Sequence, residues 1–143
     1  MISIEPAQEV DRAAIEALLE ANGLPVDGLE LAIPTAVVAR DGNDLVGCAG
    51  VEPYGSAGLL RSVCVAPWLR GAYLGRRLVD AAESLASSRG ITDLYLLTET
   101  AGDWFPRLGY SPATRADVPA AVTASPEFTG ACPDSAAVLR KQI

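Results

Sequence analysis

The first part of the chain alternates apolar and polar residues and then repeats apolar residues at helical spacing. Ile2 and Ile4 stand between polar neighbours, which predicts a short strand. Residues 10–22 then carry apolar side chains three or four positions apart, which is typical of an amphipathic helix. Gly23 ends this helix. Its apolar positions are Val10, Ala14, Ala17, Leu18 and Ala21.

Three strands follow, separated by turn residues. Residues 26–33 have an ambiguous pattern, for which a short helical turn over the site is one interpretation. Residues 34–40 and 44–52 are apolar runs on either side of an Asp-Gly-Asn-Asp turn signal, so they predict a hairpin. Residues 53–58 predict a turn, and residues 59–65 predict the next strand.

The second half of the chain returns to helical spacing. Residues 74–89 place apolar side chains on one helix face, and Gly90 ends that helix. Residues 93–98 form an unalternated apolar run, which predicts a strand buried on both faces. A short helix capped by Thr100, a helix over residues 116–125 and a last strand over residues 136–140 complete the prediction.

This order of elements predicts a single α/β domain over residues 1–143. The sheet is mixed and mostly antiparallel, with flanking helices. Strand 59–65, helix 74–89 and strand 93–98 form a β-α-β crossover, so these two strands are expected to be parallel neighbours at the centre.

Composition narrows the function classes. The 143 residues carry a formal net charge of −7, which disfavours nucleic-acid binding because that function needs a basic surface. No apolar run has the length of a membrane span and no leader pattern precedes Ile2, so we expect a cytoplasmic protein without membrane association. The chain has no histidine, and its cysteines Cys48, Cys64 and Cys132 lie far apart, which disfavours a zinc site.

The segment after strand 59–65 points to phosphate chemistry. Pro67 stops the strand, a loop with Arg70 and Gly71 follows, and a helix opens near Leu74. This arrangement aims backbone N–H groups and the positive end of a helix at an anion. A plain turn with a solvated arginine is the alternative, and the flanking strand and helix favour the phosphate site.

Two runs of residues carry a family resemblance. They are Val63-x-Val65-x-Pro67-x-x-Arg70-Gly71-x-x-x-Gly75 and Trp104-Phe105-x-x-Leu108-Gly109-Tyr110. Together with the order of elements, they resemble the GNAT superfamily of acetyl-coenzyme A-dependent N-acetyltransferases. The resemblance covers most of the chain and implies acetyl-CoA as co-substrate and a small-molecule amine as acceptor.

A second group of motifs resembles a narrower subgroup. Glu52-Pro53-Tyr54-Gly55, Leu59-Leu60-Arg61-Ser62-Val63, Leu96-Leu97-Thr98 and Cys132-Pro133-x-Ser135-Ala136 look like the arsenic-resistance N-acetyltransferases. The part from Leu97 to Tyr110 also looks like bacterial N-acetylglutamate synthases.

The superfamily resemblance implies where acetyl-CoA binds. The pyrophosphate is expected on the loop amides and the thioester along the valine strand, with a bulge that separates the two central strands. Tyr73 departs from the family, which usually has glycine there; its amide remains available if φ stays negative, and its ring could cover the loop or an adenine. The implied cofactor-binding residues are Val63, Cys64, Val65, Arg70, Gly71, Ala72, Tyr73, Leu74, Gly75, Arg76 and Phe105.

The reaction needs a base because an amine with a pKa of roughly 8 to 10 is mostly protonated at neutral pH. Without histidine, Glu52 and Glu99 are the candidates, each at a strand end, and Glu52 ranks first because it lies in the subgroup motif. Phe105 stands where many members have a tyrosine acid. Tyr54 or Tyr110 could replace it, or the thiolate could leave unaided.

The acceptor is expected to resemble an amino acid. Arg61 is the only charge in its apolar strand, so it reaches solvent at the sheet edge or binds an anionic group. Arg115 and Thr98 are the other candidate substrate-binding residues. Arsenic itself has no amine, so an arsenic-bearing amino acid is the substrate that would reconcile the arsenic-resistance subgroup with acetylation of an amine. Family members are often dimers, so a homodimer is expected. The alternatives are a coenzyme A-binding sensor without turnover and direct arsenite binding by the cysteines.

Overall fold

The computed structural model describes residues 1–71, 73–131 and 136–143. Its strands form one mixed sheet. The strands are β1 (Ile2–Pro6), β2 (Ala36–Asp41), β3 (Asp44–Tyr54), β4 (Ala57–Val65), β5 (Asp93–Thr98), β6 (Ser111–Pro112) and β7 (Ala137–Gln142). Their order across the sheet is β1, β2, β3, β4, β5, β7, β6. Within the described residues, β4 and β5 alone pair in parallel. The predicted fold class and the central crossover are confirmed.

Helices cover both faces of this sheet. They are α1 (Arg12–Ala21), α2 (Leu29–Ala32), α3 (Leu74–Ser88) and α4 (Ala120–Thr123). α3 packs on β2, β3 and β4 from one side, while α1 and α2 pack on β3 from the other. Among the described residues, none of the helices is long and apolar enough to cross a membrane.

The two helix layers explain why the central strands are apolar without alternation. In β2, Val37 and Ala39 belong to the cluster under α3, whereas Val38 belongs to the cluster under α1. In β5, Leu94 faces the α3 cluster and Tyr95 faces the opposite one. Successive side chains point to opposite faces and both faces are covered, so consecutive residues are buried, 36–39 in β2 and 94–96 in β5. This confirms the prediction for β5.

β4 contains a bulge. Its pairing with β3 shifts by one residue between the Cys48–Cys64 pair and the Gly50–Arg61 pair, which leaves one extra residue in β4. Ser62 lies in this interval with φ of 59°, a left-handed conformation that non-glycine residues rarely adopt. The bulge therefore bends β4 near its middle.

The bend separates the two central strands. Parallel pairing joins only Ala57–Leu59 of β4 to Asp93–Tyr95 of β5. Beyond these residues β4 and β5 have no pairing with each other, and a cleft opens between them. The bulge and the separation that the resemblance implies are both present.

The start of α1 differs from the prediction. A 3₁₀ turn, Glu9–Asp11, precedes the helix, and the helix buries Ile15 and Leu19. At about 100° per residue these two positions lie on a different face from the predicted one. The predicted apolar face is therefore wrong except for half-buried Leu18, since its other members are exposed: Val10, Ala14, Ala17 and Ala21.

The turn after β3 is shorter than predicted. β3 continues to Tyr54 and β4 begins at Ala57, so the predicted turn of residues 53–58 contracts to Gly55 and Ser56. Gly55 has φ of 70°, the conformation that a two-residue hairpin needs.

The elements after β5 are also shorter. The predicted helix before Gly109 is a 3₁₀ turn, Phe105–Leu108, in which Pro106 occupies the first turn and needs no N–H partner. The predicted helix over residues 116–125 reduces to α4, because Pro119 forces Val118 to extended backbone. β6 is too short for any pattern to predict.

A charged cluster ties α1 to the edge of the sheet. Arg40 on β2 donates from Nη2 to Asp11 Oδ1 at 2.5 Å and from Nε to Glu5 Oε1 at 2.5 Å. The Gln8 N–H donates to Asp11 Oδ2 at 2.9 Å. Burial raises the pKa of Asp11, but the bonds from Arg40 and Gln8 outweigh burial, so the net pKa lies below its usual value.

Asp11→Asn is expected to lower the free energy of unfolding at pH 7 by about 1 to 2 kcal/mol, since hydrogen bonds to a charged group are lost. A carboxyl whose folded pKa is depressed stabilises the fold above its unfolded pKa of about 3.9 and loses that contribution as pH falls through the folded pKa. The difference between wild type and variant should therefore shrink as pH falls from 6 to 3. Denaturant unfolding over this range measures it, and a constant difference would contradict the assignment.

Candidate functional site

A cleft of about 860 Å³ lies where β4 and β5 separate. Its walls come from the end of α1, from β4, from the start of α3 and from the segment after β5. Most of the predicted site residues share this cleft. Those that line it are Arg61, Val63, Cys64, Val65, Arg70, Gly71, Tyr73, Leu74, Gly75, Arg76, Thr98, Glu99 and Phe105.

The start of α3 forms one end of the cleft. Its first turn contains no acidic residue, and no side chain caps its N-terminus. Arg76 and Arg70 add positive charge beside the backbone amides of this first turn. Arg70 Nη2 donates a 2.6 Å hydrogen bond to Asn22 Oδ1, which fixes its side chain. Unpaired N–H groups, the helix dipole and two guanidiniums together suit a phosphate-bearing ligand. Ala72 lies outside the described residues.

Gly75 allows close packing in the first turn of α3. A Cβ at this position would lie 3.2 Å from the Trp104 ring, tighter than most real contacts. The Trp104 ring packs in turn against Phe105, with centroids 4.8 Å apart. Trp104 and Phe105 therefore support the cleft wall, and Phe105 is buried.

Tyr73 has a left-handed backbone conformation, which favours glycine. It is the N-cap of α3 with φ of 61° and ψ of 8°, and its side chain is 79% exposed. A left-handed residue other than glycine costs of the order of 1 to 3 kcal/mol. The tyrosine amide is retained, but the negative φ on which the sequence argument depended is not found.

The thiols on the β4 wall are buried. Cys64 and Cys48 are direct cross-strand partners, and Cys48 Sγ donates to the Ser62 carbonyl at 3.1 Å. Burial raises the pKa of the Cys64 thiol, which disfavours thiolate chemistry at neutral pH. Cys132 lies outside the described residues.

Beside the cleft, Arg61 and Glu52 form a buried ion pair. Both side chains are 0% exposed, and Arg61 Nη1 donates to Glu52 Oε2 at 2.7 Å. The other carboxylate oxygen accepts from Ser125 Oγ at 2.7 Å and from the Tyr54 hydroxyl. Arg61 Nε also lies 3.4 Å from Glu127 Oε1.

These contacts affect three predicted roles. Glu52 and Tyr54 do not line the cleft, and burial together with the bond to Glu52 raises the pKa of Tyr54 to about 12. The alternative that Arg61 reaches solvent is wrong, because Glu52 draws its guanidinium inward. Arg61 forms part of the cleft wall, but its guanidinium is bonded to the buried Glu52 carboxylate.

Among the described residues, two carboxylates line the cleft. Glu99 follows the last residue of β5 and is exposed. Glu127, which sequence reasoning missed, begins a single π-helical turn and is 5% exposed. Glu127 comes after residues 116–125, whose apolar spacing is weak, and it belongs to no motif. No sequence signal therefore indicated it as a site residue. Thr98 accepts from the Ala101 N–H through Oγ1 at 2.9 Å, which fixes the loop next to Glu99.

The remaining candidates lie outside the cleft lining. The Arg115 guanidinium stacks 5.5 Å from the Phe128 ring and donates to the Ala136 carbonyl at 3.4 Å. The Tyr110 hydroxyl donates to Glu83 Oε2 at 2.9 Å, and burial and the Glu83 charge raise its pKa. Tyr110 is thus turned toward α3.

Residues 33–112 match the family described as Acetyltransferase (GNAT) domain. An amino-acid acetyltransferase of Serratia proteamaculans is 29% identical over 127 residues, which cover 78% of this chain and 29% of that protein. A similar protein from Ralstonia nicotianae is 35% identical over 86 residues, covering 59% of this chain and 19% of its own length. The chain thus spans less than a third of the length of these curated relatives.

Solved structures share the fold. N-acetylglutamate synthase of Neisseria gonorrhoeae, complexed with coenzyme A and N-acetyl-glutamate, has a TM-score of 0.83 at 23% identity and covers 99% of this chain and 35% of its own. A Mycobacterium tuberculosis protein solved with CoA has a TM-score of 0.80 at 20% identity and covers 99% of both chains.

Tyr73→Gly is expected to raise the free energy of unfolding by about 1 kcal/mol, because glycine adopts φ of 61° without steric cost. Tyr73→Ala is the matched control, since it removes the ring but keeps the strain. Urea unfolding of the three proteins distinguishes the two effects. Equal stabilities of the glycine and alanine variants would contradict the strained backbone.

Proposed function

The chain belongs to the acetyltransferase (GNAT) domain family, and on that premise we propose that it transfers the acetyl group of acetyl-CoA to the amine of a small, amino-acid-like molecule. Membership of an acetyltransferase domain family and the similarity to amino-acid acetyltransferases support an N-acetyltransferase domain that uses acetyl-CoA. The acceptor and the roles of individual residues form the proposal.

The opening between β4 and β5 supports the proposal most directly. The register shift ends the β4–β5 pairing at Leu59, and the freed part of β4 leads through Val65 to the start of α3. A ligand alongside this part of β4 would meet backbone groups first and helix amides next. Strand backbone groups followed by helix amides suit a long molecule that has a thioester at one end and a pyrophosphate further along.

The side chains of the cleft also suit this ligand. Arg70, Arg76 and the acid-free first turn of α3 favour phosphate groups, and half-buried Val63 and Val65 favour the uncharged pantetheine arm. When bound, acetyl-CoA would supply the electrophilic thioester carbonyl. The task of the chain is then to orient the amine and remove its proton.

We assign the proton-accepting role to Glu99 in preference to Glu52. Glu99 lines the cleft and is exposed, so an amine or a bridging water can reach it. Glu52 is 0% exposed, and its oxygens accept from Arg61, Ser125 and Tyr54. Its protonation would break a buried ion pair.

The leaving thiolate needs no acid from Tyr54 or Tyr110. Both hydroxyls donate to carboxylates, Glu52 and Glu83, and a raised pKa makes each a weaker proton donor. A thiol pKa near 8.5 means that the thiolate is a fair leaving group, and solvent can protonate it.

The proposed acceptor class derives from the relatives and from the cleft. The curated relatives are amino-acid acetyltransferases, and Thr98 at the end of β5 lines the cleft, whereas Arg115 lies outside the lining. The subgroup motifs extend the proposal to an arsenic-bearing amino acid, whose amine would be acetylated like that of any other amino acid. The arsenic atom itself offers no amine.

Calorimetric titration with acetyl-CoA, followed by a thiol-release screen of the proteinogenic amino acids and one arsenic-bearing amino acid, tests the proposal. Saturable binding and thiol release with at least one amino acid are expected. Binding without turnover on any amine would favour the sensor alternative. Failure to bind at millimolar acetyl-CoA would refute both.

Glu99→Gln is expected to lower kcat/KM at neutral pH by about 10²- to 10⁴-fold, the usual contribution of a positioned base. The loss should diminish as pH rises and the free amine becomes abundant, while the Kd of acetyl-CoA stays unchanged. Glu5→Gln, on β1 far from the cleft, is the matched control. An unchanged rate and pH profile would remove Glu99 as the base.

A further inference from the structure

The Arg61 side chain joins three segments that are distant in sequence. Its Nη1 donates to the Asp27 carbonyl at 2.5 Å and to Glu52 Oε2 at 2.7 Å. Its Nη2 lies 3.5 Å from the Pro25 carbonyl, and its Nε lies 3.4 Å from Glu127 Oε1. One guanidinium therefore connects the loop before α2, the end of β3 and the segment after α4.

Glu52 reinforces this arrangement from the other side. Its Oε1 accepts from Ser125 Oγ at 2.7 Å, and the same hydroxyl accepts from the Glu127 N–H at 3.2 Å. Each of the two segments that flank Arg61 is thus bonded to a member of the ion pair. We call Arg61, Glu52 and the segments 25–28 and 125–127 the Arg61 clamp.

The two segments of the clamp also contact each other. A Cβ at Gly28 would lie 2.7 Å from Pro126 Cγ and 3.3 Å from Arg61 Nη1. Gly28 has φ of 73°, so both its conformation and its surroundings favour glycine. The segments therefore meet above the guanidinium.

Along β4 the clamp lies before the bulge, whereas Val65 lies after it, toward α3. Arg61 and Val65 both line the cleft and stand four positions apart in the chain. Pro25 and Glu127 line the cleft beside Arg61. If the thioester lies along the bulge, the acceptor amine approaches between the bulge and the clamp.

The chemistry of the pair favours a geometric role. A buried ion pair commonly contributes no more stability than apolar residues of similar size, because both charges lose their hydration. The pair instead fixes the relative positions of the segments, because the planar guanidinium donates to carbonyls and carboxylates of several segments at fixed angles. Its charge is already compensated by Glu52, so it is poorly suited to bind a substrate carboxylate.

We propose that the Arg61–Glu52 pair is a positioning element that holds segments 25–28 and 125–127 as the wall of the acceptor pocket and thereby determines which amines fit. This inference rests on the proposed function for its acceptor. Loss of the pair should loosen the pocket and leave the phosphate end of the cleft intact.

The test uses the double variant Arg61→Met with Glu52→Leu, which removes both charges of the pair together, so that Glu127 is the one described carboxylate that loses a contact with Arg61. With the best amino acid of the thiol-release screen, the KM for that amino acid should rise about tenfold or more, while the Kd of acetyl-CoA changes less than about twofold. Discrimination between the best and the other amino acids should fall. Hydrogen exchange should become faster in segments 25–28 and 125–127.

Two further variants separate positioning from general destabilisation. Arg40→Met with Asp11→Leu removes the ion pair at the edge of the sheet and should leave the acceptor KM unchanged. Gly28→Ala retains both charges of the clamp but displaces Pro126, so it should raise the acceptor KM in the same direction as the double variant. An acceptor KM unchanged in both clamp variants, or raised equally in the Arg40 control, would overturn the proposal.

Hydrogen exchange distinguishes failure of this inference from failure of the proposed function. If acetyl-CoA binds but no amino acid is acetylated, the acceptor class is refuted, and faster exchange confined to the two segments still supports the clamp. If exchange in those segments equals that of the wild type, the clamp is overturned whatever the turnover.

Discussion

The extra residue in β4 is the constraint on which the cleft depends. Without it, β4 would continue to pair with β5 beyond Leu59, and the sheet would have no opening. The bulge requires Ser62 to adopt a left-handed conformation. Neighbouring contacts hold this conformation, since Cys48 donates to the Ser62 carbonyl and Arg61 Nε donates to Ser62 Oγ at 3.1 Å. A costly backbone conformation is thus retained where it shapes a binding surface.

Charge differs from one part of the cleft to another. The part at α3 collects helix amides and the guanidiniums of Arg70 and Arg76, of which Arg70 also donates to Asn22 Oδ1. Arg61, before the bulge, is turned inward and neutralised by Glu52, and Glu99 lines the cleft after the end of β5. The part at α3 is therefore suited to a polyanion, and Glu99 is suited to accept the proton that the acceptor must lose.

Local sequence patterns predicted the elements but not their long-range contacts. Helical spacing predicted α3 within one residue, and the unalternated run of β5 predicted burial on both faces. The bulge came from the family resemblance, because two valines on a strand look the same with or without it. The partners of Arg61 could not be predicted, since Asp27 lies 34 residues away and Glu52 meets Ser125 across 73 residues. Such contacts depend on how loops converge, which spacing does not encode.

The position of β7 between β5 and β6 has a consequence for how the chain reaches this fold. β5 pairs along its whole length with β7, from the Asp93–Gln142 pair to the Thr98–Ala137 pair. Until residues 137–142 have left the ribosome, the apolar edge formed by Leu94, Tyr95 and Leu96 has no partner on that side. An exposed apolar strand edge readily pairs with other chains. The growing chain therefore passes through a stage at which a chaperone or rapid synthesis of these residues would protect it from aggregation.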